Sequence, residues 1–185
     1  MAEIIIGVDP GTTVMGFGVI IIDKSKVSLL EMGVLHLSKY KNHALRLQHI
    51  FEKVSALVRL HQPIAVALEA PFFGKNVQSM LKLGRAQGVA IAAAMSQGSA
   101  TIEYAPRKIK QAVTGNGNAS KEQVWKMLQQ LLKFEESPQY LDATDAVAVA
   151  LCHYYETENK KKFNLVDNSS GGWAAFIAAN PDRVK

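Results

Sequence analysis

Three apolar segments open the chain, and their lengths and composition predict β-strands. Residues 4–8 are followed directly by Asp9 and then by Pro-Gly, which forces the chain to turn. A second apolar run covers residues 16–22, and a third extended segment covers residues 27–37 after a short charged turn. Strands joined by such short connections are typical of an antiparallel meander, so we expect the first three strands to pair in chain order.

A helical pattern follows the meander and leads into a second strand that ends in an acid. Apolar residues recur at helical spacing over residues 45–59. Residues 64–69 then repeat the opening pattern, with an apolar run that ends at Glu69. A helix between two strands favours a parallel pairing through a crossover. If the partner is the first strand, Asp9 and Glu69 lie side by side at the carboxyl ends of parallel strands, where ligands bind in open α/β sheets.

The remaining pattern predicts helices, one more strand and a tail. We expect helices over residues 76–97, 107–113, 121–133 and 142–156, a fifth strand over 101–104, and a flexible tail over 157–185. The tail is predicted from a run of lysines and a stretch rich in Ser and Gly. The expected architecture is therefore one α/β domain over residues 1–156, built on a five-stranded mixed sheet that is flanked by helices.

Composition narrows the class of protein. The single cysteine, Cys152, excludes a disulfide framework and a cysteine-based zinc cluster. No apolar stretch approaches the ~20 residues of a membrane span, and no basic leader precedes the first apolar run, so we expect a cytoplasmic protein. The net charge of +5 suits a polyanionic partner, more so if several acids are gathered in one site.

Two further acids begin the last predicted helix. Asp142 and Asp145 are three residues apart, so they lie on one helical face and repel each other. The rest of that helix is rich in Ala and must be buried against the sheet. A buried, self-repelling pair is better explained by bound cations than by helix capping, although capping remains open, as does a turn-capping role for Asp9. Together with Glu69, these acids offer only oxygen ligands, which suit a hard cation such as Mg²⁺ or Mn²⁺.

Several motifs in chain order resemble those of RuvC-type Holliday-junction resolvases, a family of the ribonuclease H-like superfamily. They are Asp9-Pro10-Gly11 with Gly16 downstream, Glu69-x-x-Phe72-x-x-Lys75-Asn76, the Leu83-Gly84 to Gly88-Val89-Ala90 segment, and Asp142-x-x-Asp145-Ala146. Each motif is weak alone, but together they match colinearly over about residues 3–155. Residues 173–185 are expected to depart from the family.

The resemblance implies a metal-dependent endonuclease that cuts four-way DNA junctions by paired symmetric nicks. It implies two Mg²⁺ ions per subunit, with Mn²⁺ able to substitute, and products that carry a 5′-phosphate and a 3′-hydroxyl. The implied catalytic and metal-binding residues are Asp9, Glu69, Asp142 and Asp145, with Asp9 bridging both metals. The implied DNA-binding residues are Phe72, Lys110 and Lys121.

The resemblance also implies partners. The family acts as a homodimer, and the helix that carries Gly84, Gly88 and Ala92 is the expected interface, although this strip of small residues also suits packing inside the monomer. A branch-migration helicase complex of the RuvA and RuvB type is a further expected partner. No membrane association is expected.

Three other functions compete with this interpretation. An actin-like ATPase shares an Asp-x-Gly-Thr-Thr loop, but that class needs a duplicated second half, which this chain lacks. A DNA-binding module without catalysis is disfavoured by the intact set of acids. A nuclease of the same fold that acts on RNA or on an RNA–DNA hybrid is the closest competitor.

Overall fold

The computed structural model describes residues 2–24, 26–71, 76–134 and 141–169. Contacts divide the chain into two compact units, Met1–His153 and Tyr154–Lys185. The strands are β1 (Glu3–Asp9), β2 (Val14–Asp23), β3 (Lys26–His36), β4 (Ala65–Glu69) and β5 (Ala100–Tyr104). The helices are α1 (His43–His61), α2 (Val77–Ser96), α3 (Pro106–Thr114), α4 (Lys121–Leu132) and α5 (Leu141–Ser169).

The first unit is built on one five-stranded sheet in the order β3-β2-β1-β4-β5. β1, β2 and β3 form the predicted antiparallel meander, and β4 pairs in parallel with both β1 and β5. The predicted mixed sheet is confirmed, including the parallel pairing of the two strands that end in acids.

The helix ends follow from local sequence. The Asn42 side chain accepts a hydrogen bond from the Leu45 amide at the start of α1, and Asn76 caps α2 in the same way. Ser120 and Gln123 form a reciprocal capping box at the start of α4. Pro106 is the first residue of α3, where its missing N–H costs nothing.

The two faces of the sheet are packed differently. One face presents large apolar side chains, among them Ile6, Phe17 and Leu68, to the buried residues of α1 and α2. Along the other face, the strands carry glycine where α5 crosses them. A Cβ at Gly7 or Gly18 would overlap the backbone of α5, so α5 lies closer to the sheet than a helix on ordinary side chains could.

The last helix is longer than predicted. α5 continues to Ser169, so the predicted end of this helix at about Glu156 is wrong. The lysine run suggests a solvated linker, but Lys and Glu are good helix formers. The Lys161 ammonium also pairs with the Glu158 carboxylate at 2.9 Å, which is the spacing of neighbours on a helix surface. No helix within the described residues is long and apolar enough to cross a membrane.

Candidate active site at the carboxyl edge of the sheet

β1 and β4 bring two acids to one edge of the sheet. Val8 of β1 pairs with Leu68 of β4, so the next residues, Asp9 and Glu69, end adjacent parallel strands. Both carboxyl groups lie on the face that α5 covers, because side chains alternate along a strand. The placement that the sequence predicted for these two acids is confirmed.

The close approach of α5 brings two more acids to the same edge. Gly16 pairs with Asp9 across the meander, and a Cβ at Gly16 would overlap the carbonyl oxygen of Asp142. Because Gly16 has no side chain, the first turn of α5 can rest directly on β2. The carboxyl oxygens of Asp9, Asp142 and Asp145 consequently lie within 4.8 Å of one another.

Crowding changes the protonation of these acids. Burial, followed by the charges of Asp145 and Asp142, raises the pKa of Asp9 to about 7. Burial and the charges of Asp9 and Asp145 raise the pKa of Glu69 to about 8, although Glu69 lies outside the compact group of three. Burial also raises the pKa of Asp145. The nearby positive charges of the protein are therefore too few to balance the negative charges of these acids.

Lys121 partly offsets this negative charge. Its ammonium lies 2.5 Å from the Asp145 carboxylate and 3.5 Å from that of Asp142. The hydrogen bond to Asp145 and the charges of the three aspartates raise the pKa of Lys121 against the opposing effect of burial. Lys121 is predicted as a DNA-binding residue, and the sequence gives no sign of its ion pair with the acids.

A cavity of about 390 Å³ opens beside the acids. It is lined by Asp9, Glu69 and Asp145 on one side and by Lys110 and Lys121 of the α3–α4 side on the other. Gln87 of α2 also lines the cavity, and sequence reasoning missed it because a single Gln on a helix carries no pattern. The predicted DNA contact Phe72 lies outside the described residues.

The donor set fits divalent metal ions. Carboxylate oxygens are hard ligands, and the ligands preferred by Mg²⁺ and Mn²⁺ are of this kind. The raised pKa values of Asp9 and Glu69 show that added positive charge would stabilise the ionised cluster. A metal-binding acid cluster at this edge is therefore consistent with the geometry.

A mixed sheet with acids at the carboxyl edge and at the start of a close-packed helix defines the class of ribonuclease H-like nucleases. Comparison with known proteins identifies the family within that class. The profile of the family described as "Crossover junction endodeoxyribonuclease RuvC" matches residues 5–153. The chain belongs to this family.

Individual relatives agree. The crossover junction endodeoxyribonuclease RuvC of Cytophaga hutchinsonii is 59% identical over 183 residues, which cover 99% of this chain and 88% of the relative. The solved RuvC of Thermus thermophilus superposes with a TM-score of 0.77 at 32% identity, covering 85% of this chain and 97% of that one. A second structure, T. thermophilus RuvC in complex with its Holliday junction substrate, gives a TM-score of 0.77 at 33% identity and covers 84% of this chain and 94% of that one.

These matches refine one expectation. The family profile ends at residue 153, so residues 173–185 lie beyond the part that the family shares. The segment is nevertheless not peculiar to this chain, because the Cytophaga relative matches 99% of it.

Proposed function

We propose that this protein is a structure-selective endonuclease that resolves Holliday junctions in DNA recombination and repair by paired symmetric nicks. The observation that carries the proposal is the packing of α5 on glycine, which holds Asp142 and Asp145 against Asp9 at the end of β1. Family membership supports the substrate, since a related RuvC is known in complex with a Holliday junction.

Asp9, Glu69, Asp142 and Asp145 are proposed to hold two Mg²⁺ ions per subunit, which Mn²⁺ can replace. Asp9 is the proposed bridging ligand, because it lies within reach of both α5 aspartates and its pKa responds to their charges. When bound, such a pair of ions supplies activation of a water molecule and stabilisation of the leaving oxygen of a phosphodiester. The products then carry a 5′-phosphate and a 3′-hydroxyl.

The remaining residues of the cavity are proposed to bind and orient the DNA. Lys110 lies in the cavity wall, close enough to Glu69 and Asp145 for its charge to oppose the rise in the pKa of both. We assign it to a phosphate near the bond that is cut. Lys121 forms ion pairs with Asp142 and Asp145, and it would be free to contact phosphate if cations were bound by these carboxylates. Phe72 is proposed to stack on unpaired bases at the junction centre, as the family resemblance implies.

A homodimer is proposed to present two such sites to opposed strands. A Cβ at Gly84 or Gly88 would meet no atom of the described residues within 4 Å, so this strip does not serve packing among them. Exposed apolar side chains extend the strip along α2, with Val77 at 69%, Leu81 at 52% and Met95 at 60% exposure. Small residues flanked by exposed apolar ones suit close helix packing against a second copy.

A charged residue introduced into the Gly84 and Gly88 strip of α2 tests whether this strip forms the homodimer interface. Gly88→Glu should shift the molar mass measured by light scattering from dimer to monomer, because a carboxylate would be buried without a partner. Ala56→Glu on the exposed surface of α1 is the matched control and should leave the dimer intact. A Gly88→Glu protein that remains dimeric would contradict the assignment of this interface.

Other features of the family stay predictions for this chain. These are a branch-migration helicase complex of the RuvA and RuvB type as partner, a cytoplasmic location, and a nuclease domain that covers residues 1–156. They are proposed from family membership and composition.

The decisive experiment compares the wild-type protein with Asp9→Asn on a labelled four-way junction in the presence of Mg²⁺. The wild type should give symmetric nicks, whereas Asp9→Asn should bind the junction but lose at least about 10³-fold in cutting rate, since the proposed bridging ligand is gone. Binding by the wild type without any cutting would favour a non-catalytic module. Indifference to branched DNA, or preferential cutting of an RNA–DNA hybrid, would refute the proposal.

A further inference from the structure

Cationic side chains gather on the α1–α2 side of the carboxyl edge, on the far side of the sheet from α5. Arg46 comes from α1, while Lys82 and Arg85 lie three residues apart on the exposed surface of α2. All three surround His43, the first residue of α1. We call Arg46, Lys82 and Arg85 the α1–α2 basic cluster.

Arg46 links the cluster by hydrogen bonds to the loop that follows Asp9. The Arg46 guanidinium donates one hydrogen bond from Nη1 to the Thr12 carbonyl oxygen at 3.0 Å and another from Nε to the Tyr40 carbonyl oxygen at 3.2 Å. Thr12 is three residues beyond Asp9, a span of at most about 11 Å of extended chain. Because a DNA strand carries one phosphate per ~3.4 Å of helix axis, the backbone that Arg46 contacts at Thr12 lies within a few phosphates of Asp9.

The positive charge of the cluster is not compensated locally. Among the described residues, no carboxylate forms an ion pair with Arg46, Lys82 or Arg85. The hydrogen-bond partners of Arg46 are neutral carbonyl groups. An external anion would reduce the mutual repulsion of these three cations.

The environment of His43 reports this convergence of charge. Burial, followed by the charges of Arg85, Lys82 and Arg46, lowers the pKa of the His43 imidazole. Its Nε2 atom is buried and finds no hydrogen-bond partner among the described residues. The imidazole therefore stays neutral at pH 7, and the positive charge at this point belongs to the three longer side chains, which can extend toward a ligand.

We infer that the α1–α2 basic cluster binds backbone phosphates of the junction on the opposite side of the acid site from Lys110 and Lys121. The inference rests on the proposed function. A strand that crosses the carboxyl edge would be held on both sides of the bond that is cut, once by the α3–α4 lysines and once by this cluster. The guanidinium groups suit phosphate because they donate in pairs.

The test uses the salt dependence of binding, since each phosphate contact adds about −0.9 to the slope of log K against log salt. The full-length Asp9→Asn protein serves as the non-cutting parent, and Lys82→Gln with Arg85→Gln is introduced into it. For two lost contacts, the ratio of Kd at 200 mM salt to Kd at 50 mM salt should fall about tenfold for a labelled four-way junction.

The matched control removes the same charge elsewhere. Lys26→Gln with Arg59→Gln changes two exposed cations at the start of β3 and the end of α1, which lie toward the opposite edge of the sheet. This control should keep the salt slope of the parent. Light scattering confirms that both proteins have the molar mass of the parent, because Lys82 lies next to the proposed dimer strip.

The outcomes separate the inference from the proposed function. A salt slope unchanged by Lys82→Gln with Arg85→Gln overturns the inference and points to an acidic protein surface as the partner of the cluster, while junction cutting by the wild type still stands. If the parent itself does not prefer the junction, the proposed function fails first. Should the double variant not fold, Arg85→Gln alone must lower the Kd ratio about threefold, and an unchanged ratio refutes the inference.

Discussion

The two faces of the sheet use opposite kinds of residue. Toward α1 and α2, the strands present fully buried side chains such as Val8, Val66 and Leu68. Toward α5, β1 and β2 present Gly7 and Gly16 where the helix crosses them, beside larger buried residues such as Ile5. The first face gains burial of apolar area, whereas the second gives up much of that area so that a helix backbone can approach.

This difference separates stability from function within one sheet. Large side chains hold the domain together, and each buried one contributes roughly 1.5–3 kcal/mol. The glycines contribute little burial, but they determine how near Asp142 and Asp145 come to Asp9. Damage to the first face should therefore cost stability alone, while damage to the second should also cost metal binding.

The largest expected effect follows Gly16→Ala. The added methyl group would overlap the Asp142 carbonyl oxygen, a backbone atom that cannot rotate away. We expect a loss of at least about 4 kcal/mol in the free energy of unfolding, or a displaced start of α5. Urea denaturation measures the first, and calorimetric titration of the folded fraction with Mn²⁺ measures the second. Wild-type stability together with wild-type Mn²⁺ affinity would contradict the close packing of α5.

A smaller effect is expected on the opposite face. Leu68→Ala leaves a cavity among the residues of the α1–α2 core and should cost about 3 kcal/mol in the free energy of unfolding. Because Leu68 points away from α5, the Mn²⁺ affinity of the folded variant should equal that of the wild type. A variant that loses metal affinity in proportion to stability would show that the two faces are not independent.

The smallest expected effect is a gain in thermal stability for Asp9→Asn. The folded-state pKa of Asp9, about 7, lies above the ordinary value of 3.8 for an aspartate. The proton it holds stabilises the folded protein below pH ~4, and this contribution is lost as the pH rises through about 7. In a chelator at pH 8, Asp9→Asn should therefore unfold about 4–8 °C higher than the wild type, equivalent to about 2 kcal/mol.

Thermal unfolding at pH 5 and pH 8 tests this stability gain with its own control. At pH 5 the carboxyl is protonated in the folded wild type but ionised in the unfolded chain, so the variant should still unfold at the higher temperature, by a smaller margin than at pH 8. With Mg²⁺ added at pH 8, the wild type should overtake the variant, because only the intact cluster gains from binding. An Asp9→Asn protein that is less stable than the wild type at pH 8 in chelator would refute the raised pKa.

The sheet and the position of each acid could be predicted because both depend on short, local sequence patterns. The apolar runs that end at Asp9 and Glu69 specify strand direction, and the i, i+3 spacing of Asp142 and Asp145 specifies a helical face. The order and spacing of the four acids along the chain resemble those of a known family. The predicted function was taken from that family.

Features that join distant segments could not be predicted in this way. The Arg46–Thr12 hydrogen bond spans 34 positions, and the ion pair of Lys121 with Asp145 spans 24. Neither contact produces a periodic pattern in the sequence. The close packing of α5 did leave one, since Gly16 and Gly18 alternate on one face of β2, and glycine in a strand interior marks close approach of another backbone. The length of α5 was missed because a run of charged residues fits an exposed helix as well as a tail.

Lys121 bears on which ions the site accepts. Its ammonium is tethered to the protein and lies beside Asp145 and Asp142, so it is present at a high effective concentration whatever the buffer contains. A free monovalent cation offers the carboxylates no more charge than the Lys121 ammonium does. It must also lose part of its hydration shell, which costs free energy. A divalent ion offers twice the charge and engages several carboxylates together. We therefore expect divalent ions to displace the resident ammonium more readily than sodium or potassium ions do.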